Sequence, residues 1–194
     1  MPAGMIWFSN RMWNTIRMSD QKLFFDTDCL SAFLWVNGQA ILPELYPGRI
    51  VIPEPVYIEL SRPQISHLKR RIDLLKNNHQ ATLVPLNHGE PEYDLFWEMV
   101  SSPRKGMRLI GRGEASAIAL AKVNGGIVAS NNLRDILPYI EQFGLEYTTT
   151  GDILVDAYKG GLITETQGNS LWTAMLAKRR KLGANSFSDF LRSK

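Results

Sequence analysis

A chain of 194 residues is long enough to bury a sizeable core in one domain, since at this size roughly 70% of the unfolded surface is hidden. Its 44% hydrophobic and 21% charged content is that of an ordinary globular protein, and its apolar runs are too short to cross a bilayer, which excludes a disordered chain and a membrane-spanning helix. The formal charge of +3 and a pI near 9.0 suit a polyanionic partner without locating one, and the lone Cys29 excludes an internal disulfide or a Cys-rich zinc site, fitting a reducing, cytoplasmic setting.

Residues 1–20 mix Trp and Met with Asn, Arg and Ser, with neither a secretory apolar core nor a clear period. They read as an N-terminal extension of uncertain order, for which an extra helix, a loose arm or a start at Met18 all fit. Lys22 to Phe25 is a short apolar run that ends in Asp26-Thr27-Asp28, after which Leu30, Phe33 and Leu34 recur at helical spacing. This predicts a strand feeding a helix. Arg49 to Ile52 predicts a second strand, and Pro53-Glu54-Pro55 stops it and opens a helix that carries Glu59.

From Gln64 to Lys76 the apolar Ile65, Leu68, Ile72 and Leu75 share one helical face, with Lys69, Arg70, Arg71 and Lys76 largely off it. Thr82 to Leu86 predicts a short strand in which Pro85 suits the end or a sheet edge. Tyr93 to Val100 is apolar and helical by pattern, and Ser101 to Gly113, with Arg104, Lys105, Arg108 and Arg112, has the composition of a basic loop. The alanine-rich run from Glu114 to Val123 predicts a helix stopped by Asn124-Gly125-Gly126. Ile127 to Ser130 is then a strand, followed by a helix from Leu133, a strand near Leu145 to Thr149 and a helix from Asp152 to Tyr158. Thr164 and Gln167 have capping-box spacing before a last helix carrying Leu171, Trp172, Met175 and Leu176, which ends in Lys178-Arg179-Arg180-Lys181. Trp97, Trp172 and Met175 are expected in the core or at a helix interface. Strands alternating with helices imply an α/β fold, a mostly parallel sheet covered on both faces.

In such a sheet the functional crevice lies at the carboxyl ends of the strands. Asp26 and Asp28 follow the first strand, Asn131, Asn132 and Asp135 follow the strand ending at Ser130, and Glu59 and Glu114 are expected in the first turns of helices at the same edge. Hard oxygen ligands of this kind suit Mg²⁺ or Mn²⁺, which reach substrate phosphates and polarise them. Each acid also has a bland reading: Asp28 as a helix cap, and first-turn acids as partners of the helix dipole. Glu114 stands out because Gly111, Gly113, Ala115 and Ala117 leave it unshielded. His67, His79 and His88 lack metal-ligand spacing and read as surface residues. The cations of residues 64–76, 104–112 and 178–181 either line an RNA path or form an ordinary solvated face.

The ordered set Phe24-Phe25-Asp26-Thr27-Asp28, Ile52-Pro53-Glu54-Pro55 leading to Glu59, Gly111-Arg112-Gly113-Glu114-Ala115-Ser116-Ala117, and Ala129-Ser130-Asn131-Asn132 leading to Asp135 resembles the PIN-domain nucleases, including the toxins of bacterial toxin–antitoxin pairs. The resemblance implies a three-layer α/β/α sandwich and a divalent-metal-dependent endoribonuclease, with Asp26, Glu59 and Glu114 at the positions of the family's metal-binding acids. The family's fourth acid follows the fourth strand. Here Asn131 and Asn132 stand there, leaving Asp135 as the nearest carboxylate and Asn132 as a carbonyl ligand. On this reading residues 21–163 form the PIN-like domain and residues 164–194 a C-terminal helix and basic tail packed on it. RNA, an antitoxin protein and a second copy of the chain are the expected partners. Two alternatives remain: a catalytically weakened PIN-like module that binds RNA or protein, and a phosphohydrolase of small phosphoesters.

Overall fold

The computed structural model describes residues 20–194, so the extension expected over residues 1–20 lies, except for Asp20, outside the described residues. The first strand, β1 (Lys22–Phe25), is buried along Leu23, Phe24 and Phe25, as expected of a strand covered on both faces. Helix α1 (Thr27–Trp35) follows it directly, then a short α2 (Ile41–Leu45) absent from the sequence pattern, β2 (Ile50–Pro53) and α3 (Glu54–Leu60) with Pro55 in its first turn. A 3₁₀ turn over Pro63–Ile65 leads into α4 (Ser66–Asn77), and β3 (Thr82–Val84) ends just before Pro85. The second half runs through α5 (Pro91–Ser101), α6 (Arg112–Asn124), β4 (Gly126–Ala129), α7 (Leu133–Phe143), β5 (Glu146–Thr148) and α8 (Thr150–Lys159).

The five strands form one sheet in the order β3-β2-β1-β4-β5, every neighbouring pair parallel. Strand order reverses between β1 and β4, which makes their carboxyl ends the topological switch point. The period of two along the strands sorts side chains into two cores. Leu23, Phe25, Ile50 and Ile52 join α1, α3, α4 and α8 on one face, whereas Phe24, Val51 and Val128 join α5, α6 and α7 on the other. The result is the three-layer α/β/α sandwich expected. Helix α6 is buried without a break from Ala115 to Ala121, its alanines letting it lie close against β1 and β4.

The C-terminal segment contains more structure than its basic composition implies. Helix α9 (Glu165–Ala177) opens with the capping box expected at Thr164 and Gln167, and a further helix, α10 (Phe187–Arg192), follows the cationic run. Trp172, Met175 and Phe187 are fully buried in the same core as Phe25 and Leu30, so residues 164–194 pack on the domain as part of its interior. Trp172 and Met175 thus lie where expected, whereas Trp97 is 52% exposed, stacked on Tyr93 at the outer surface of α5. The cations of α4 also have local roles: Lys69 and Lys76 pair with Asp73, and Arg71 donates to the Leu34 carbonyl that ends α1.

Because Phe187 sits fully buried between Trp172 and Tyr158, Phe187→Ala should cost about 3–5 kcal/mol of unfolding free energy in urea, the usual loss for a buried aromatic. A loss under about 1 kcal/mol, the scale of a surface change, would mean that the C-terminal helices do not belong to the cooperative unit.

Candidate active site

Asp26 is the residue that ends β1 and caps α1. Its backbone N–H donates to the Ala129 carbonyl at 2.9 Å, extending the β1–β4 ladder, while its Oδ1 accepts the Cys29 N–H at 2.6 Å as an N-cap. Its Oδ2 accepts the Ser130 hydroxyl, and Ser130 in turn accepts the Asn132 N–H at 3.2 Å. The carboxyl has no solvent exposure. Burial raises its pKa from 3.8 to about 8; the bonds from Ser130 and Cys29 oppose the rise, and the negative charges of Glu114 and Asp28 add to it. The capping role considered for Asp28 therefore belongs to Asp26. Asp28 is instead paired through Oδ1 with Arg180 Nη1 at 3.1 Å, and the same Nη1 reaches Ser31 Oγ at 3.1 Å.

Glu114 stands in the first turn of α6, where the helix dipole favours a carboxylate. Two glycines set its position. A Cβ at Gly111 would overlap the Glu114 carboxylate, and one at Gly113 would overlap the Thr27 hydroxyl, so only glycine lets the start of α6 close onto the start of α1. Thr27 uses that hydroxyl to donate to Glu59 Oε2 at 2.6 Å; Glu59 lies in the last turn of α3, not the first turn expected, because the helix already starts at Glu54 and is only two turns long. On the other side, Asn132 Nδ2 donates to Glu114 Oε1 at 3.2 Å and to Asp135 Oδ2 at 2.7 Å. Asn131 faces away from this group: its amide exchanges two bonds of 2.9 Å with Thr150.

The four acids singled out by sequence are thus grouped through intermediaries. Glu114 and Asp135 share the Asn132 amide and Asp26 joins them through Ser130, whereas Glu59 is held by Thr27, the chain neighbour of Asp26. Among the described residues no three Asp, Glu, His or Cys side chains share one coordination sphere. Ser130 and Thr27 were not among the candidates, although each is a polar residue directly beyond a buried strand. Arg180 had no local signal, since only the fold brings the C-terminal segment to α1.

This donor set fits a hard divalent cation. It is all oxygen apart from the Asn132 amide nitrogen, and Mg²⁺ needs only one or two carboxylates because it keeps waters and reaches substrate phosphates. Desolvation is the largest influence on the buried Asp26 carboxyl, and the negative charges of Glu114 and Asp28 add to it. Glu114 and Asp135 both accept from Asn132 Nδ2, so these two carboxylates, with the Asn132 carbonyl oxygen if the amide turns over, are the residues that would hold the cation. The His residues stand apart: His67 packs edge-on against Trp35, and His79 and His88 are exposed.

Comparison with known proteins gives one match, a family model described as a PIN domain that covers residues 22–193. No protein of curated function and no solved structure matches the chain. The family model spans β1 through α10, and the switch-point acids fall inside it. The chain therefore belongs to the PIN-domain family.

Proposed function

We propose that this protein is a divalent-metal-dependent endoribonuclease, with Asp26, Glu114 and Asp135 as the metal-binding acids, Glu59 beside them and Mg²⁺ or Mn²⁺ as the ion. The observation that carries the reading is the pinning of Glu114 and Asp135 on one amide at the switch point, next to a fully buried Asp26. PIN domains are in general nucleases, which supports hydrolysis of a phosphodiester.

When bound, the ion supplies Lewis-acid polarisation of the scissile phosphate and lowers the pKa of a water. The chain's own part is positioning. Asn132 holds Glu114 and Asp135 together, Ser130 and the Cys29 N–H fix both oxygens of Asp26, and Thr27 orients Glu59. The role of a toxin held by an antitoxin, a second copy as partner and a cytoplasmic location rest on the motif likeness and on Cys29, a buried free thiol. Among the described residues no helix is long and apolar enough to cross a membrane.

A second reading, a PIN-like module that binds RNA or protein without cutting, is favoured by the amides at the fourth acidic position, where Asn131 is locked to Thr150. Cleavage separates the two. Wild type should cut single-stranded RNA with Mn²⁺ and not with EDTA, and Asp26→Asn should not cut; an inert wild type across Mg²⁺ and Mn²⁺ selects the binding module.

Asn132→Asp tests the cluster directly. A third carboxylate against Glu114 and Asp135 should lower the melting temperature without metal, through like-charge repulsion, and enlarge the Mn²⁺-induced rise. Unchanged melting in both states would place Asn132 outside the ion's reach.

The pH dependence of the metal-free protein follows from Asp26. Its folded pKa of about 8 lies above the unfolded value of 3.8, so between these limits the unfolded chain releases a proton that the folded chain retains. Stability is therefore full below pH 3.8 for this group and falls as pH rises towards about 8. Asp26→Asn keeps the cap and removes the loss. In EDTA the variant should melt near wild type at pH 4 and at least about 2–4 °C higher at pH 8.5, the shift of about 1 kcal/mol for a domain of this size. Parallel melting curves at both pH values would show that the Asp26 carboxyl is no harder to ionise in the fold than in the unfolded chain.

A further inference from the structure

A pocket of about 130 Å³ opens beside the acidic cluster, and nothing in the chemistry above uses it. Asn131 and Leu133, the chain neighbours of Asn132 on either side, form the wall nearest the cluster. Because Asn131 is fixed at both amide atoms by Thr150, that wall is rigid. The floor is Phe190, whose ring lies so close over Gly151 that a Cβ there would overlap it, and which also packs against Trp172 at 5.2 Å.

Tyr147, on edge strand β5, also lines the pocket, with 41% of its surface exposed and no ring stacked on it among the described residues. The rim carries charge of one prevailing sign. Lys194 is paired with Asp152 at 2.6 Å, but Lys181 is exposed and has no partner among the described residues. Its neighbour Arg180, bonded to Asp28 and Ser31 at the start of α1, holds this stretch against the domain.

A partly buried Phe190 ring, a partly exposed tyrosine ring and an exposed lysine, unpaired among the described residues, line one pocket and match one flat heteroaromatic ring joined to a phosphate. We propose that the pocket receives one base of a single-stranded RNA beside the cleaved bond, the base against Tyr147 and its phosphate at Lys181. The identity of the strand rests on the nuclease reading; the pocket's chemistry does not. Stacking on an aromatic side chain is tolerant of base identity, so the pocket adds affinity for single strands over duplexes, whose bases are already stacked.

The test is binding without catalysis. Fluorescence anisotropy of labelled hexauridylate and hexaadenylate in EDTA would be measured for wild type, Tyr147→Ala, Tyr147→Phe and Lys181→Ala. Wild type and Tyr147→Phe should bind. Tyr147→Ala should bind about tenfold more weakly, within the range of one base–aromatic contact. Lys181→Ala should weaken binding and reduce the salt dependence by about 0.7 in log–log slope, the loss of one single-strand phosphate contact. Should Tyr147→Ala fail to fold, Tyr147→Leu and the exposed Lys181→Ala carry the same readings. Wild-type affinity in the Tyr147 and Lys181 variants, or no binding by wild type, overturns the pocket. An absence of metal-dependent cleavage, with these binding losses intact, overturns the nuclease reading and leaves the pocket standing.

Discussion

At the carboxyl end of β1 a side chain must end a strand, start a helix and lie in the interior, and Asp26 meets all three demands at once. The N-cap bond fixes the direction in which α1 leaves the sheet. The Ser130 bond ties β1 to β4 beyond their last paired residues, across the point where strand order reverses. Removing a carboxylate from water is costly unless its charge is compensated, and the hydrogen bonds to Asp26 compensate it in part only, which is why its proton is held so firmly.

Around Asp26 the geometry follows from small residues. Gly113 lets α6 approach Thr27, and Gly111 leaves room for the Glu114 carboxylate to fold back over the helix start. The alanines beyond them bring the helix close to the sheet, so that Glu114 and the residues after β4 come within reach of one Asn132 side chain. Bulkier residues would push α6 outward and separate Glu114 from Asp135. The amide at position 132 holds the two acids together without adding a charge, so the cluster repels itself less than a fully acidic one.

The C-terminal segment contributes to both stability and the site. Trp172 and Phe187 fill the same core as the sheet, and Arg180 neutralises Asp28 within two residues of Asp26. One segment thus closes the hydrophobic interior, sets the charge near the buried acid and lines the neighbouring pocket. These roles constrain the basic run more than its composition alone would indicate.

Much of the fold was legible because it is written in short-range patterns. The apolar runs ending at Phe25, Ile52 and Ser130, the helical spacing of Leu68, Ile72 and Leu75, and the Thr164–Gln167 capping box each specify an element through contacts a few residues apart. Asp26, Glu59, Glu114 and Asp135 could be singled out as residues at the sheet's functional edge for the same reason. What the sequence left open depends on contacts between distant segments. Whether Asp26 or Asp28 caps α1, whether Asn131 or Asn132 faces the acids, and where Arg180 goes are decided by Ser130, Thr150 and the docking of residues 164–194. Trp97 lies outside and Trp172 inside because burial depends on which helix face meets a neighbour. Local spacing placed each residue on its helix or strand; only the packed sheet determined which side chains met and which charges remained uncompensated.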